Sequence, residues 1–249
     1  MARGRVERVA DGANFFLDDN REVHLAGIEV PLPGANASDR VPGSMAATTA
    51  LTALIGGAHV ELRQSGVKSD RYGRIVAYAE PLADGAPRSV QAEMIAAGLA
   101  RVGADIGSQA CADELLRREA AARRAALGLW ADAYYRPLSA DDPNAILKLR
   151  GHFALITGKV VSVRGSGATI YVNFGRRWSQ DFAVTIRKRN ERHFAAEGRD
   201  LNGLAGRRVL VRGWIEAHSG NFGATGRDDW HAPWIEVAQP EQIELAGHD

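Results

Sequence analysis

The chain has 249 residues, 45% hydrophobic and 24% charged, which suits one large globular domain or two small ones and excludes a disordered or fibrous protein. No apolar run approaches the roughly 20 residues of a membrane-spanning helix, and Cys111 is the single cysteine, which excludes an internal disulfide. The net charge of +1 hides a basic block, because residues 148–214 hold 14 Lys and Arg against 4 Asp and Glu, whereas residues 215–249 hold 1 against 7.

Strands and helices are predicted to mix in the first half of the chain. Five strands are predicted from alternating apolar and polar residues, two of them within 3–17 and the others at 21–28, 58–63 and 72–80. Three helices are predicted from the caps Ser44 and Ser108 and from terminal glycines, at 44–55, 90–97 and 108–127. This order favours an OB-type barrel with packed helices.

The second half is predicted to be mostly β. Residues 136–143 are polar, hold two prolines and end in Asp141-Asp142-Pro143, so the domain boundary is placed there, between domains 1–136 and 144–249. Five short strands are predicted at 152–163, 168–174, 181–187, 207–217 and 234–237, with a helical insertion at 190–204. We therefore expect a second small, OB-like β-barrel, and an α+β chain that is mainly β with helices.

Five short motifs stand in order along the first half. They are Asp11-Gly12, Leu25-Ala26-Gly27-Ile28-Glu29-Val30-Pro31, Asp70-Arg71-Tyr72-Gly73-Arg74, Gly98-Leu99-Ala100 and Gly128-Leu129-Trp130. Their ordered combination over residues 3–130 resembles the staphylococcal nuclease-like (thermonuclease) family, which implies its OB-fold. Asn173-Phe174-Gly175, with Trp178 and Asp181-Phe182, also resembles the extra C-terminal β domain of some bacterial members.

Three family-equivalent catalytic positions are substituted in this chain. Family members cleave phosphodiesters with a calcium ion, acidic ligands, a general-base glutamate and two arginines. The resemblance places Ala13 at the first acidic ligand, His24 at the first arginine and Leu32 at the general base. A neutral imidazole cannot replace a permanently charged guanidinium fork, so we expect little cleavage by the family mechanism.

Two family-equivalent catalytic residues are retained. Glu29 corresponds to the second acidic ligand and Arg74 to the second arginine. Arg71, Tyr72 and Arg74 also match the family's nucleotide-phosphate contacts. An alternative interpretation is purely local, in which Asp70 and Arg74 simply pair across the turn that Tyr72 and Gly73 form.

Neither a metal nor another cofactor is expected. Ca²⁺ takes 6–8 oxygen ligands, and Glu29 with the neutral amide of Asn14 is a poor cage. Asp11 and Glu29 are weak metal candidates, and Asp18 or Asp19 could join them in a shifted site. Ca²⁺ or another divalent cation is required only if the protein is an active nuclease.

The basic block of the second half predicts contacts with a polyanion. Single-strand binders stack bases on aromatic rings while basic side chains follow the phosphates. The nucleic-acid-binding candidates are Arg176, Arg177, Trp178, Arg187, Lys188, Arg189 and Arg192. Tyr171 and Phe174 lie on a predicted strand and could fill the core instead, and the cations could form a solvated turn.

Three functions remain open. The leading hypothesis is a catalytically degenerate nuclease-like protein that binds single-stranded DNA, RNA or another polyanion. The alternatives are an active metal-dependent phosphodiesterase with a rearranged site around Glu29, Arg74 and His24, and a scaffold for a protein partner. No membrane partner is expected. Localisation is open: cytoplasmic if the start at Met1 is native, exported if a signal peptide has been trimmed.

Overall fold

The computed structural model of the chain describes residues 2–31, 42–82, 88–107, 109–220 and 230–245. The chain divides into two compact units, Met1–Tyr135 and Arg136–Asp249. None of the helices in the described part of the chain has the length and apolar character that crossing a bilayer requires. The predicted cap Ser108 and the substituted position Leu32 lie outside the described residues.

A closed five-stranded barrel forms the centre of the first unit. Its strands follow the order β1-β2-β3-β6-β5, and all neighbours are antiparallel except the parallel pair β3 and β6. The short strands β4 and β7 pair separately. The strands are β1 (Ala2–Val9), β2 (Asn14–Leu17), β3 (Glu22–Leu25), β4 (Ile28–Glu29), β5 (His59–Ser69), β6 (Ile75–Pro81) and β7 (Arg101–Val102).

Three helices cover this barrel: α1 (Ser44–Ile55), α2 (Val90–Ala96) and α3 (Gln109–Arg124). Helix α1 has the predicted bounds, but the prediction that Ser44 caps it is wrong. Ser44 is the first helical residue, and the cap is Gly43, in the left-handed region with φ of +88°. A Cβ on Gly43 would approach Leu129 Cδ2 to 2.5 Å, so both the backbone angle and the packing require glycine here.

Nine strands and two helices are described in the second unit. One sheet has the order β10-β11-β12-β15-β14 and the other β16-β13-β9-β8. The elements are β8 (Leu138–Ser139), α4 (Pro143–Leu147), β9 (Phe153–Lys159), β10 (Ser162–Ser166), β11 (Thr169–Asn173), β12 (Ala183–Arg187), α5 (Glu191–Ala196), β13 (Arg208–Trp214), β14 (Glu216–Gly220), β15 (Trp230–Val237) and β16 (Ile243–Leu245).

The two sheets of the second unit are joined by two bent strands. Only Val160 and Val161 separate β9 from β10, and only Ile215 separates β13 from β14. The pairing therefore runs from β9–β10 through β11, β12, β15 and β14–β13 back to β9, with β12 and β15 parallel. This circuit repeats the strand order and the single parallel pair of the first barrel, so the second unit is OB-like as well.

Two segments of the second unit differ from their predicted structure. The polar stretch 136–143 belongs to this unit, because β8 pairs with β9 and Asp142 caps α4 by accepting a 2.9 Å hydrogen bond from Ala145 N. An Asp before a Pro is also a helix start. The insertion predicted as helical over 190–204 is α-helical only in α5, because Gly198 adopts a left-handed φ of +68° just beyond it.

Candidate functional site

Asp11, the first of the candidate metal ligands, uses its carboxylate within the turn between β1 and β2. Asp11 Oδ1 accepts hydrogen bonds from the backbone N–H groups of Ala13 (2.8 Å) and Asn14 (2.9 Å). The Asn14 amide nitrogen donates to both Asp11 oxygens, at 2.9 and 2.8 Å. The Asp11 carboxylate thus stabilises a local turn, and Ala13 contributes a methyl group that is only 2% exposed.

Asn14 joins three segments of the first unit. Its side chain is buried, and its Oδ1 accepts from Arg74 Nη1 at 3.0 Å and pairs with His24 Nδ1 at 2.8 Å. Because the Asn14 nitrogen is committed to Asp11, its oxygen faces His24, and Nδ1 of His24 must carry the proton. Both acceptor positions of the Asn14 oxygen are therefore used, and its nitrogen is directed at the Asp11 carboxylate.

His24 is poorly suited to carry the positive charge of the arginine that the resemblance implies at this position. It lies directly opposite Asn14 in the β2–β3 pair. Burial lowers the pKa of His24 below its usual value, and the nearby charge of Arg74 lowers it further, although neighbouring carboxylates act in the opposite direction. The imidazole is consequently neutral at neutral pH and acts as a hydrogen-bond donor to Asn14.

Arg74 is held at the base of the turn between β5 and β6. Its Nε donates to Asp70 Oδ2 at 2.7 Å. Asp70 Oδ1 in turn accepts from the backbone N–H groups of Tyr72 (2.9 Å) and Arg74 (3.0 Å). Desolvation opposes the ionised form of Asp70, but the hydrogen bonds from Arg74 and Tyr72 outweigh it and lower its pKa. Gly73 supplies the left-handed φ of +81° that this turn needs.

The three predicted phosphate contacts do come together at this turn. The Tyr72 ring is 67% exposed, and the guanidinium carbons of Arg71 and Arg74 lie 4.8 and 5.1 Å from its centroid. Arg71 Nη2 also donates to the Tyr72 hydroxyl at 2.6 Å. Arg71 and Arg74 therefore flank one exposed ring. Arg74 is paired with Asp70, so Arg71, which has no described acidic partner, is the cation of this turn that can receive an anion.

Glu29, the retained acidic residue, lies in a different environment. It pairs with Arg101 across β4 and β7, and burial raises its pKa to about 7 while the charge of Arg101 acts in the opposite direction. Burial also lowers the pKa of Arg101, whose guanidinium carbon lies 5.2 Å from the centroid of the Tyr135 ring. Among the described residues, no hydrogen bond or ion pair joins Glu29 to Arg74 or Asp11.

The donors near this site do not fit a calcium ion. Ca²⁺ needs 6–8 oxygens, yet both Asp11 oxygens are engaged by Asn14, the Ala13 side chain offers none, and no described hydrogen bond joins Glu29 to Asp11 or Arg74. In the described ranges, no group of three or more His, Cys, Asp or Glu is arranged to hold a metal. Arg74, Tyr72 and Arg71 thus form an anion-receiving turn without a described metal centre beside it.

The nucleic-acid candidates of the second unit divide into paired and unpaired cations. Arg177 binds Asp181 at 3.2 Å and Arg187 binds Glu236 at 2.6 Å, so these two arginines are neutralised locally. Within the described residues, the other four have no acidic partner within 4.0 Å. All four are exposed: Arg176, Lys188, Arg189 and Arg192.

Two cavities lie over the outer face of the five-stranded sheet in the second unit. Their volumes are about 900 and 420 Å³, and both are lined by Tyr171, Thr185 and Trp234. The two cavities therefore adjoin along these three residues, and together they are called the sheet groove below. Trp178, 65% exposed, lines the larger cavity, and Lys188 lines the smaller.

The residues predicted from the sequence cover only part of the sheet groove. Of the two aromatic residues on the predicted strand, Phe174 is buried, whereas Tyr171 faces the groove. Arg164 and Thr185 line the groove but were not predicted. The alternation of β11 and β12 carried the signal, because buried Ile170 and Val172 put Tyr171 on the opposite face.

The comparison with protein families agrees with the barrel and the motifs of the first unit. The family model for staphylococcal nuclease homologues matches residues 22–132, so this segment of the first unit is similar to staphylococcal nuclease homologues. The matched segment contains β3, α1, the Asp70–Arg74 turn and α3. No curated protein matches the chain.

Proposed function

We propose that this protein binds nucleic acid and does not cleave it by the family mechanism. The observation that carries the proposal is the arrangement around Asn14. Ala13 and a neutral His24 stand where the resemblance implies a metal ligand and an arginine, and Arg74 is tied to Asn14 and Asp70. A staphylococcal nuclease-like domain in itself supports a nuclease-like, nucleic-acid-binding protein.

The loss of these catalytic groups should lower the rate of phosphodiester cleavage by large factors. A positioned general base typically contributes 10²–10⁴-fold to the rate, and one charge-stabilising donor contributes about 10²–10³-fold. With Leu32 and His24 at those positions, neither contribution is available, and the combined loss is at least as large as the larger of the two. Removing a metal ligand adds a further loss, because the metal polarises the phosphate.

The cationic surfaces that remain are suited to binding. Arg71 and Arg74 flank Tyr72 at the edge of the first barrel. In the second unit, Arg176, Lys188, Arg189 and Arg192 are exposed and have no described acidic partner. Phosphate contacts of this kind release counterions, so the affinity should fall steeply with salt.

A combined binding and cleavage assay tests this function. Labelled single-stranded DNA and RNA are incubated with the protein and Ca²⁺, Mg²⁺ or Mn²⁺, and affinity and product are both measured. We expect salt-dependent binding, weakened in Arg71→Ala but not in the control Arg63→Ala, whose exposed guanidinium pairs with Glu80 at 3.0 Å. Metal-dependent cleavage that is lost in Arg74→Ala would overturn the degenerate site, and absence of binding at low salt would overturn the binding function.

A further inference from the structure

We propose that the sheet groove of the second unit binds single-stranded nucleic acid, with bases stacked on Tyr171 and Trp234 and one polar group of the ligand bonded to the Thr185 hydroxyl. This inference rests on the proposed nucleic-acid-binding function and assigns it a site and a substrate class. Tyr171, Thr185 and Trp234 line both cavities, so they form the floor that the two halves share.

Strand register brings these residues together on one face. Tyr171 lies opposite Arg164 on one side and opposite Thr185 on the other. Ala183, two residues before Thr185, lies opposite Trp234 of β15. Because side chains of alternate residues share a face and adjacent strands lie about 4.8 Å apart, the two rings lie on the same face of the sheet, on either side of β12 and two strand spacings apart.

Thr185 has an unsatisfied polar group in this floor. Its side chain is only 8% exposed, and its Oγ1 has no hydrogen-bond partner among the described residues. A buried hydroxyl without a partner is costly to leave unpaired, and valine would fill the same space at that position. Thr185 lines both cavities, although its Oγ1 is almost inaccessible to water in the free protein, so the proposal requires a base edge or a sugar oxygen to reach this hydroxyl when the ligand binds.

Cations without an acidic partner in the described part of the chain line both cavities of the sheet groove. Arg164 and Arg176 line the larger cavity, and Lys188 and Arg189 line the smaller one. No acidic side chain in the described ranges lies within 4.0 Å of these four, whereas Arg187 beside them is paired with Glu236. A polyanion whose phosphates run along both cavities meets positive charge in each.

The recessed rings and the flanking cations together favour single-stranded over double-stranded nucleic acid. In a double helix the base faces are covered by their neighbours, so rings recessed in a trough can stack only on unpaired bases. An extended acidic peptide would also meet the cations, but it offers no flat faces for Tyr171 and Trp234. Base faces and phosphates together match both parts of the sheet groove.

Two substitutions in the full chain test the groove. Binding of a labelled 12-mer oligothymidylate and of a 12-bp duplex is measured by fluorescence anisotropy. We expect Tyr171→Ala to weaken oligothymidylate binding about 5- to 100-fold and the near-isosteric Thr185→Val to weaken it about 3- to 10-fold. The control Tyr134→Ala removes an exposed ring of the first unit and should leave the affinity unchanged.

Arg164→Gln provides a test that does not depend on the floor. Removing one phosphate contact should lower the slope of log affinity against log salt by about 1. The control Arg150→Gln, which also removes an exposed arginine of the second unit, should leave this slope unchanged.

If the oligothymidylate binds but none of the groove variants changes its affinity or salt slope, the groove assignment is overturned and the proposed function stands. Equal loss of duplex binding in the groove variants would overturn the choice of a single strand. Binding of an acidic peptide but of no nucleic acid would overturn both proposals.

Discussion

Substituting glutamine for Glu29 should stabilise the first unit, and increasingly so as the pH rises. Burial raises the pKa of this carboxyl from 4.5 to about 7. A raised pKa means that the folded state holds a proton that the unfolded chain releases. The contribution of the Glu29 carboxyl to the free energy of unfolding is therefore fully present below pH 4.5 and is lost as the pH rises through 7.

The size of the effect follows from the two pKa values. A gap of 7 − 4.5 = 2.5 units, at 1.36 kcal/mol each, makes the fully ionised form about 3 kcal/mol less stable. Glutamine has the shape of the protonated acid and cannot ionise. We therefore expect Glu29→Gln to match the natural chain near pH 4.5 and to exceed its free energy of unfolding by up to about 3 kcal/mol at pH 8.

Urea unfolding at several pH values provides the measurement. Far-UV circular dichroism is recorded for the natural chain and the variant between pH 4.5 and 8. The second unit is identical in both proteins, so a difference between their curves reports on the first. The control Glu7→Gln, at an exposed position of β1, should show no growing difference. A difference for Glu29→Gln that stays flat with pH, or that becomes destabilising above pH 7, would refute the assignment of a buried, reluctantly ionised carboxyl.

Three further predictions concern other buried or constrained groups. Glu244→Ala removes the carboxylate paired with the fully buried guanidinium of Arg212 and should cost about 3–5 kcal/mol in urea unfolding; Glu216→Ala is the comparison. Because the pKa of His24 is lowered, its contribution is lost as the pH falls below 6.5, so His24→Gln should lose less stability than the natural chain between pH 6.5 and 5. Gly73→Ala meets no atom within 4 Å, yet its φ of +81° should cost about 1 kcal/mol, and a neutral effect on thermal unfolding would contradict that strain.

Local patterns of the sequence predicted most strands and all three helices of the first unit. Helix α1 could be placed at its true bounds because an Ala- and Leu-rich run ends before Gly56. Non-local contacts could not be predicted in this way. The bond between Arg74 and Asn14 joins residues 60 apart, and it decides whether Arg74 is free or tied.

The ion pairs and strand neighbours of the second unit were harder to predict for the same reason, because they depend on residues far apart in the sequence. The basic residues at 187–189 were visible as a cluster, but Glu236, 49 residues from Arg187, neutralises one of them. The parallel pairing of β12 with β15 likewise depends on a strand far along the chain. The alternation of apolar residues in β11 did predict which face of the strand packs into the core, but it did not predict that the opposite face is concave.

The shared circuit of the two barrels has a consequence for biosynthesis. Strand β15 fills the gap between β12 and β14, so until residue 237 has left the ribosome the nascent second barrel is open, and β12 offers bare amide and carbonyl groups to any neighbour. Pairing that joins strands so distant in the chain also closes slowly. A chain that stops before Trp230 lacks the strand that completes this circuit, so we expect it to accumulate in inclusion bodies.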